Sequence, residues 1–155
     1  MRVFANVTEL QTTDDRDLGT TEWFRIDQDT IDRFADVTRD DVRIHLDPAA
    51  ARAAGLDSTI AHGLFTVSLG PMFLHELFDV AQYSNALNYG FERVRFTAPV
   101  PVDASVRMSA EILRTRDIDS GTAIHIQEIF ELRDTDGLVA PRPVCVAESI
   151  VAYFH

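Results

Sequence analysis

Asp40 and His45 stand five residues apart, and an imidazole beside a carboxylate is a pair able to move protons at neutral pH. Adding water across a double bond, or removing it, needs one group for the water proton and another for the carbon-bound proton. Two such side chains on one short loop can sit on either side of a water molecule. The plainer reading is that loop aspartates cap helices or face solvent, and that this spacing arises by chance. Asp41 and Asp47 are acidic neighbours; Asp47, directly before Pro48, reads as a helix N-cap.

His62-Gly63 comes next. A glycine that opens a buried helix offers an unblocked backbone N–H at the positive end of the helix dipole, which suits a developing oxyanion. Equally, Gly63 could serve close packing, and His62 could be a core histidine bonded to backbone. The run Asn88-Tyr89-Gly90-Phe91-Glu92-Arg93-Val94-Arg95-Phe96 puts Arg93 and Arg95 on one face of an extended strand, with Asn88 as a hydrogen-bond donor. An ordinary strand with solvated arginines has the same pattern. The histidines His45, His62, His75, His125 and His155 have no ligand spacing such as His-x-x-x-His, so no metal is expected. There is no Gly-x-Ser-x-Gly elbow and no phosphate-binding glycine-rich loop.

The elements that must position these residues are readable in part. Asn6 is expected to cap a short helix over Val7 to Gln11, with Glu9 at its third position. Otherwise residues 1–21 are weakly patterned, and 22–26 read as a strand. Asp27 or Asp29 caps a helix whose face carries Ile31, Phe34, Ala35 and Thr38. Arg39 to Leu46 has no helical period and reads as a loop or short strand. Asp47-Pro48 opens an alanine-rich helix stopped by Gly55. From Gly63 onward, apolar residues from Leu64 to Phe78 cover every helical face, which predicts one buried helix kinked at Pro71 and eased by Gly70. Three later runs alternate with period two. They start near Ser105, Ile124 and Cys145 and are separated by Asp/Gly and Pro turn signals, so an antiparallel meander follows. In the second run Glu128 breaks the apolar face. One long helix and several long strands make an α+β domain.

At 155 residues the chain is read as a single domain, 1–155, large enough to bury a core without disulfides. Cys145 is the only cysteine, which fits a reducing compartment. Met1 to Asn6 is too short an apolar run for a secretory leader, and no stretch reaches membrane-spanning length. A soluble cytoplasmic protein is expected. The net charge of −11 opposes binding to nucleic acid or to anionic membranes. All 14 basic residues are arginine, which excludes lysine Schiff-base chemistry.

Three blocks of this sequence, taken in order, resemble one family. Phe34 to Pro48, with Asp40, His45 and Asp47-Pro48, is similar to the signature of the MaoC-like (R)-specific enoyl-CoA hydratases. Ile60-Ala61-His62-Gly63-Leu64-Phe65-Thr66 resembles the family's second block. Asn88-Tyr89-Gly90, Val94-Arg95-Phe96 and Pro99-Val100-Pro101 resemble the branch related to nodulation protein N. The resemblance spans roughly residues 22–154. It implies a hot-dog fold, a long central helix wrapped by an antiparallel sheet, usually dimeric. It also implies a trans-2-enoyl-CoA substrate, an (R)-3-hydroxyacyl-CoA product, and no metal or redox cofactor. Asp40 and His45 match the family's catalytic pair and the N–H of Gly63 its oxyanion contact. His62, Leu64, Asn88 and Arg95 are then candidate substrate contacts, Leu64, Phe65 and Met72 candidate acyl-tunnel residues, and Arg93 or Arg95 a support for the loop or a contact to CoA phosphates. Three positions depart from the family: Arg39 stands where glycine is usual, and Val42-Arg43 where most hydratases have Asn-Pro and this branch often has Gln-Trp. The rival expectations are a hot-dog acyl-CoA thioesterase and a catalytically weak acyl-thioester-binding subunit, because one fold hosts several chemistries.

Overall fold

The computed structural model describes residues 1–154. In chain order the elements are β1 (Arg2–Phe4), α1 (Val7–Thr12), β2 (Asp17–Thr20), β3 (Phe24–Arg25) and α2 (Gln28–Thr38). Then come α3 (Arg43–Leu46), α4 (Pro48–Ala53), α5 (Gly63–Ser68) and α6 (Gly70–Leu77). The chain finishes with β4 (Phe78–Val80), β5 (Asn85–Phe96), β6 (Ser105–Ile118), β7 (Gly121–Arg133) and β8 (Cys145–Phe154).

The alternating runs form the meander β6-β7-β8. Val106, Met108, Ala110 and Ile112 of β6 turn inward, as do Ile124, Ile126 and Phe130 of β7. The main sheet runs β2-β6-β7-β8-β5, with β3 also pairing β6. β5 does not pair with its sequence neighbour β6; it lies antiparallel to β8 at the edge of the sheet. β1 and β4 form a separate parallel pair. Buried residues of α5 and α6, including Phe65, Phe73 and Leu77, join the inward faces of the strands in one apolar cluster. A sheet wrapped over a central helical segment is the hot-dog, α+β arrangement.

Caps legible in the sequence do form. Asn6 accepts the Glu9 N–H at 3.0 Å, and the Glu9 carboxylate reaches back to the Ala5 N–H at 2.6 Å. Asp27 accepts the Thr30 N–H at 2.9 Å. Asp47 accepts from Ala49 and Ala50, and α4 ends with Gly55 at φ 85°. There the Leu56 N–H bonds the Ala51 carbonyl and the Gly55 N–H that of Arg52, which closes the helix.

Three expectations are corrected. The central helix is interrupted at the single residue Leu69, beside Pro71 where the disturbance was expected, but it stops at Leu77, and Phe78–Val80 is strand; Pro71 sits in the first turn of α6. Proline at a helix start costs nothing because its missing N–H has no partner there anyway. The helix is also not buried all round: Leu64 is 63% and Met72 38% exposed. Lastly, Arg39–Leu46 is not a loop or strand throughout, since four of its residues form α3. β1 and β2, three and four residues long, lie in the stretch that showed no pattern. Among the described residues no helix is long and apolar enough to cross a membrane.

Candidate active site

Asp40 follows directly on the end of α2. Arg39, the C-cap, takes a left-handed conformation at φ 62°, a turn that glycine would make without strain. The chain then reverses through α3, whose N-cap Val42 has no side chain able to accept a backbone N–H. His45 lies in α3 and is 9% exposed. Its Nδ1 is 2.7 Å from the carbonyl of Ile60. A carbonyl only accepts, so Nδ1 carries the hydrogen and Nε2 of the neutral ring is left free to accept one. Gln28 fixes the same segment: its Nε2 donates to the His45 carbonyl at 2.9 Å, and its Oε1 accepts from Thr59 at 2.6 Å.

His62, 2% exposed, is a core histidine bonded to backbone, the plainer of its two expected readings. Its Nε2 donates to the backbone carbonyl of Asp40 at 2.9 Å. Its ring stacks on that of His45 with centroids 3.8 Å apart, and Phe34 closes the other side at 5.1 Å. His62 Nδ1 is buried without a partner. The Asp40 carboxylate, a His45 ring nitrogen and a His62 ring nitrogen lie within 4.8 Å of one another. That separation lets one water bridge the carboxylate and an imidazole. The same three donors could hold a cation, although no sequence spacing announced them. A second trio, Glu92, His125 and Glu148, is equally tight. There the Arg114 guanidinium already supplies the positive charge, 2.7 Å from Glu148 and 2.8 Å from His125 Nδ1. His155 lies outside the described residues.

An open cleft of about 410 Å³ meets His45, lined also by Ile60, Ala61, Gly63, Thr66 and the Phe96–Val100 segment. Gly63 starts α5, whose N-cap His62 makes no side-chain cap, so the first amides of the helix are available to a ligand oxygen. The Phe96 ring packs on Gly63: a Cβ there would stand 3.0 Å from the ring. Any side chain at 63 would crowd both the ring and the mouth of the helix. Asp47, beside the pair, is held below the usual carboxylate range by hydrogen bonds from Arg43 first, then from the Ala49 and Ala50 amides. It is thereby committed to capping α4.

The other candidates are not gathered here. Leu64 points to solvent, Phe65 is packed on Phe34, and Met72 is half-exposed; none lines this cleft. Among the described residues, Arg95 donates only to the adjacent Val94 carbonyl and Arg93 has no side-chain partner; both are exposed. Asn88 lines a different cavity, under α6. Thr66 and Phe96, which line the cleft, lay in the resembling blocks without an assigned role, and Gln28 carried no motif.

The sheet wrapped over the central helical segment defines a hot-dog protein, with the candidate residues Asp40 and His45 close together beside the start of that segment. The chain belongs to the MaoC-like domain family, whose model matches residues 9–129. It is 37% identical to 3-hydroxyacyl-thioester dehydratase Z of Mycobacterium tuberculosis over 153 residues, 99% of each chain. It is 43% identical to nodulation protein N of Rhizobium leguminosarum bv. viciae over 94 residues, 59% of this chain and 58% of that one. The unliganded R-hydratase from Pseudomonas aeruginosa shares the fold, with a TM-score of 0.64 and 18% identity over 96% of this chain and 84% of that one.

Proposed function

We propose that the protein is a hydro-lyase that adds water to a trans-2-enoyl-CoA, giving the (R)-3-hydroxyacyl-CoA, and runs the reverse dehydration. The observation that carries this reading is the Asp40 carboxylate within 4.8 Å of the His45 imidazole, at a cleft whose wall includes Gly63. A full-length relative named as a 3-hydroxyacyl-thioester dehydratase supports the substrate class. In this reading a water bridged by Asp40 and His45 attacks Cβ and gives one proton to the pair. The pair returns one proton to Cα, so its charge is unchanged over the cycle. The Gly63 N–H holds the thioester oxygen as negative charge builds on it. No metal takes part, and dialysis against a chelator should leave turnover intact.

Crotonyl-CoA tests this directly. Loss of enoyl absorbance without thiol release supports the hydratase; free thiol indicates a thioesterase; neither leaves an acyl-thioester-binding protein. Chiral analysis of the product should give the R isomer, and an S product would sink the stereochemical assignment.

The working form is a homodimer in the same reading. β5 is an unpaired edge of 12 residues on which Leu87, Tyr89, Phe91 and Phe96 are exposed, and Leu64 and Met72 add to the uncovered apolar surface. Such an edge is normally covered. Light scattering at micromolar concentration should exceed the 17.4 kDa of one chain.

A further inference from the structure

His45 sits in a helix too short to hold itself in place. α3 has four residues, its N-cap Val42 makes no side-chain hydrogen bond, and the Arg43–Asp47 pair along it is exposed. A helix of one turn has no cooperative stability of its own, and its last carbonyls have no partner inside it. What fixes α3 must come from elsewhere in the chain. The Ile60 N–H bonds the Ile44 carbonyl at 3.3 Å, and the His45 ring bonds the Ile60 carbonyl at 2.7 Å. The third tie is Gln28.

Gln28 is the first residue of α2 and half-buried, and its surroundings allow its amide one orientation. Nε2 faces two groups that only accept, the His45 carbonyl at 2.9 Å and the Asp32 carboxylate at 2.7 Å. Oε1 accepts from the Thr59 hydroxyl at 2.6 Å. Both amide hydrogens and the oxygen are thus engaged. Thr59 is 2% exposed, and its own carbonyl is held by the Val102 N–H at 2.9 Å, so its hydroxyl is a fixed anchor. The next residue is Ile60, whose carbonyl decides which ring nitrogen of His45 carries the hydrogen. One side chain therefore grips the His45 backbone at one end and the neighbour of the ring's acceptor at the other.

We propose that Gln28 is a positioning residue for His45: through Thr59 it keeps the Ile60 carbonyl opposite Nδ1, and so holds the imidazole with Nε2 free to accept a proton. The effect on rate rests on the hydratase reading; the effect on the His45 ring does not. Neither Gln28 nor Thr59 lines the cleft, so any effect on rate passes through His45. Leucine at 28 has a similar volume but leaves the His45 carbonyl and the Thr59 hydroxyl without this partner. The spacing between α3 and Ile60 is then no longer fixed, and the ring hydrogen is shared between the two nitrogens. A base held in the wrong tautomer slows proton transfer and leaves substrate binding nearly intact.

The test reads the ring and the rate separately, on the full-length protein in its native assembly. NMR of protein labelled at its histidine ring nitrogens, at a pH where free histidine is neutral and with His45→Gln for assignment, reports the tautomer. Wild type should show His45 with Nδ1 as the N–H nitrogen and Nε2 bare. Gln28→Leu should move both signals toward the intermediate values of mixed tautomers, while His62 keeps its hydrogen on Nε2. In crotonyl-CoA hydration Gln28→Leu should lower kcat roughly 10- to 100-fold, with KM within about twofold of wild type. Thr59→Val should lower kcat in the same way, and Thr59→Ser should restore most of that loss. The double variant Gln28→Leu/Thr59→Val should be no worse than Gln28→Leu, since the two side chains act as one tie. Unchanged His45 nitrogen signals in Gln28→Leu would overturn the proposal. So would a lower Tm with kcat kept, or a rise in KM alone, either of which marks a purely structural role. If Gln28→Leu does not fold, Thr59→Val and Thr59→Ser carry the same readings. A wild type that does not hydrate crotonyl-CoA would sink the hydratase reading alone, and the nitrogen signals would still decide on Gln28.

Discussion

Replacing Glu128 by glutamine should make the pH dependence of stability diverge from wild type, and the size of the divergence follows from the site. The side chain is 1% exposed; Oε1 accepts from the Ser149 hydroxyl, and Oε2 has no partner among the described residues. Burial is the main cause that raises this carboxyl from 4.5 to about 7, opposed by the Ser149 hydrogen bond. In the unfolded chain it returns to the ordinary value. Because the folded value is the higher one, the folded state holds the proton more tightly. The resulting stabilisation is full below pH 4.5 and is lost as pH rises through 7. Integrating between pH 5 and pH 8 gives a loss of roughly 2.5 kcal/mol in wild type, at 1.36 kcal/mol per pKa unit. Glutamine does not titrate. The other ionisable groups near the cavity, His75, Asp79, Tyr83, Tyr153 and Cys145, are common to both proteins and cancel in the comparison. Urea unfolding at fixed protein concentration should therefore find Glu128→Gln gaining on wild type by about 2.5 kcal/mol from pH 5 to pH 8. With a slope of about 2 kcal/mol/M this is a midpoint difference on the order of 1 M. Parallel stability curves for the two proteins would refute the claim that Glu128 is folded into a dry, under-bonded site.

Other outcomes follow from the segment that carries Asp40 and His45. Val42→Asn supplies α3 with the N-cap it lacks and should stabilise by about 1 kcal/mol, raising Tm by a few degrees in a thermal scan. Arg39→Gly relieves a left-handed arginine and should also add about 1 kcal/mol, because the Arg39–Asp36 pair it removes is fully solvated; a loss of stability in the same scan would contradict this. His62→Ala frees the Asp40 carbonyl and should lower kcat by roughly 10-fold or more with a smaller change in KM. His62→Gln, whose amide nitrogen can reach the same carbonyl, should recover part of the rate, and equal losses in the two variants would argue against a positioning role.

The strands were legible because alternation is local: each residue of β6 to β8 reveals its own face. Asn6, Asp27 and Asp47 were legible as caps for the same reason, since a capping side chain acts within three residues. The break in the central helix was not. Ser68, His75 and Glu76 mark the outward face of α5 and α6 but not the break, and Pro71 is compatible with a kink and with a fresh helix start alike. The exposure of Leu64 and Met72 depends on where the sheet ends, which is a tertiary fact. At the site, Asp40, His45 and Gly63 were picked out by residue type and by the resemblance. The hydrogen bond that ties His62 to Asp40 spans 22 residues, and the one from His45 to Ile60 spans 15, so no spacing rule could have found either. Asn88 was grouped with the site by sequence block alone, and β5 carries it to the other cavity.

The central claim is that Asp40 and His45 act as one proton-transfer unit. Hydration of crotonyl-CoA by Asp40→Asn, His45→Gln and the double variant measures it most directly, with the exposed Asp41→Asn as control. Each single change should lower kcat by roughly 10²–10⁴, the double should be little worse than the worse single, and Asp41→Asn should stay near wild type. A loss for Asp41→Asn equal to that for Asp40→Asn, or losses that simply multiply in the double variant, would contradict the account.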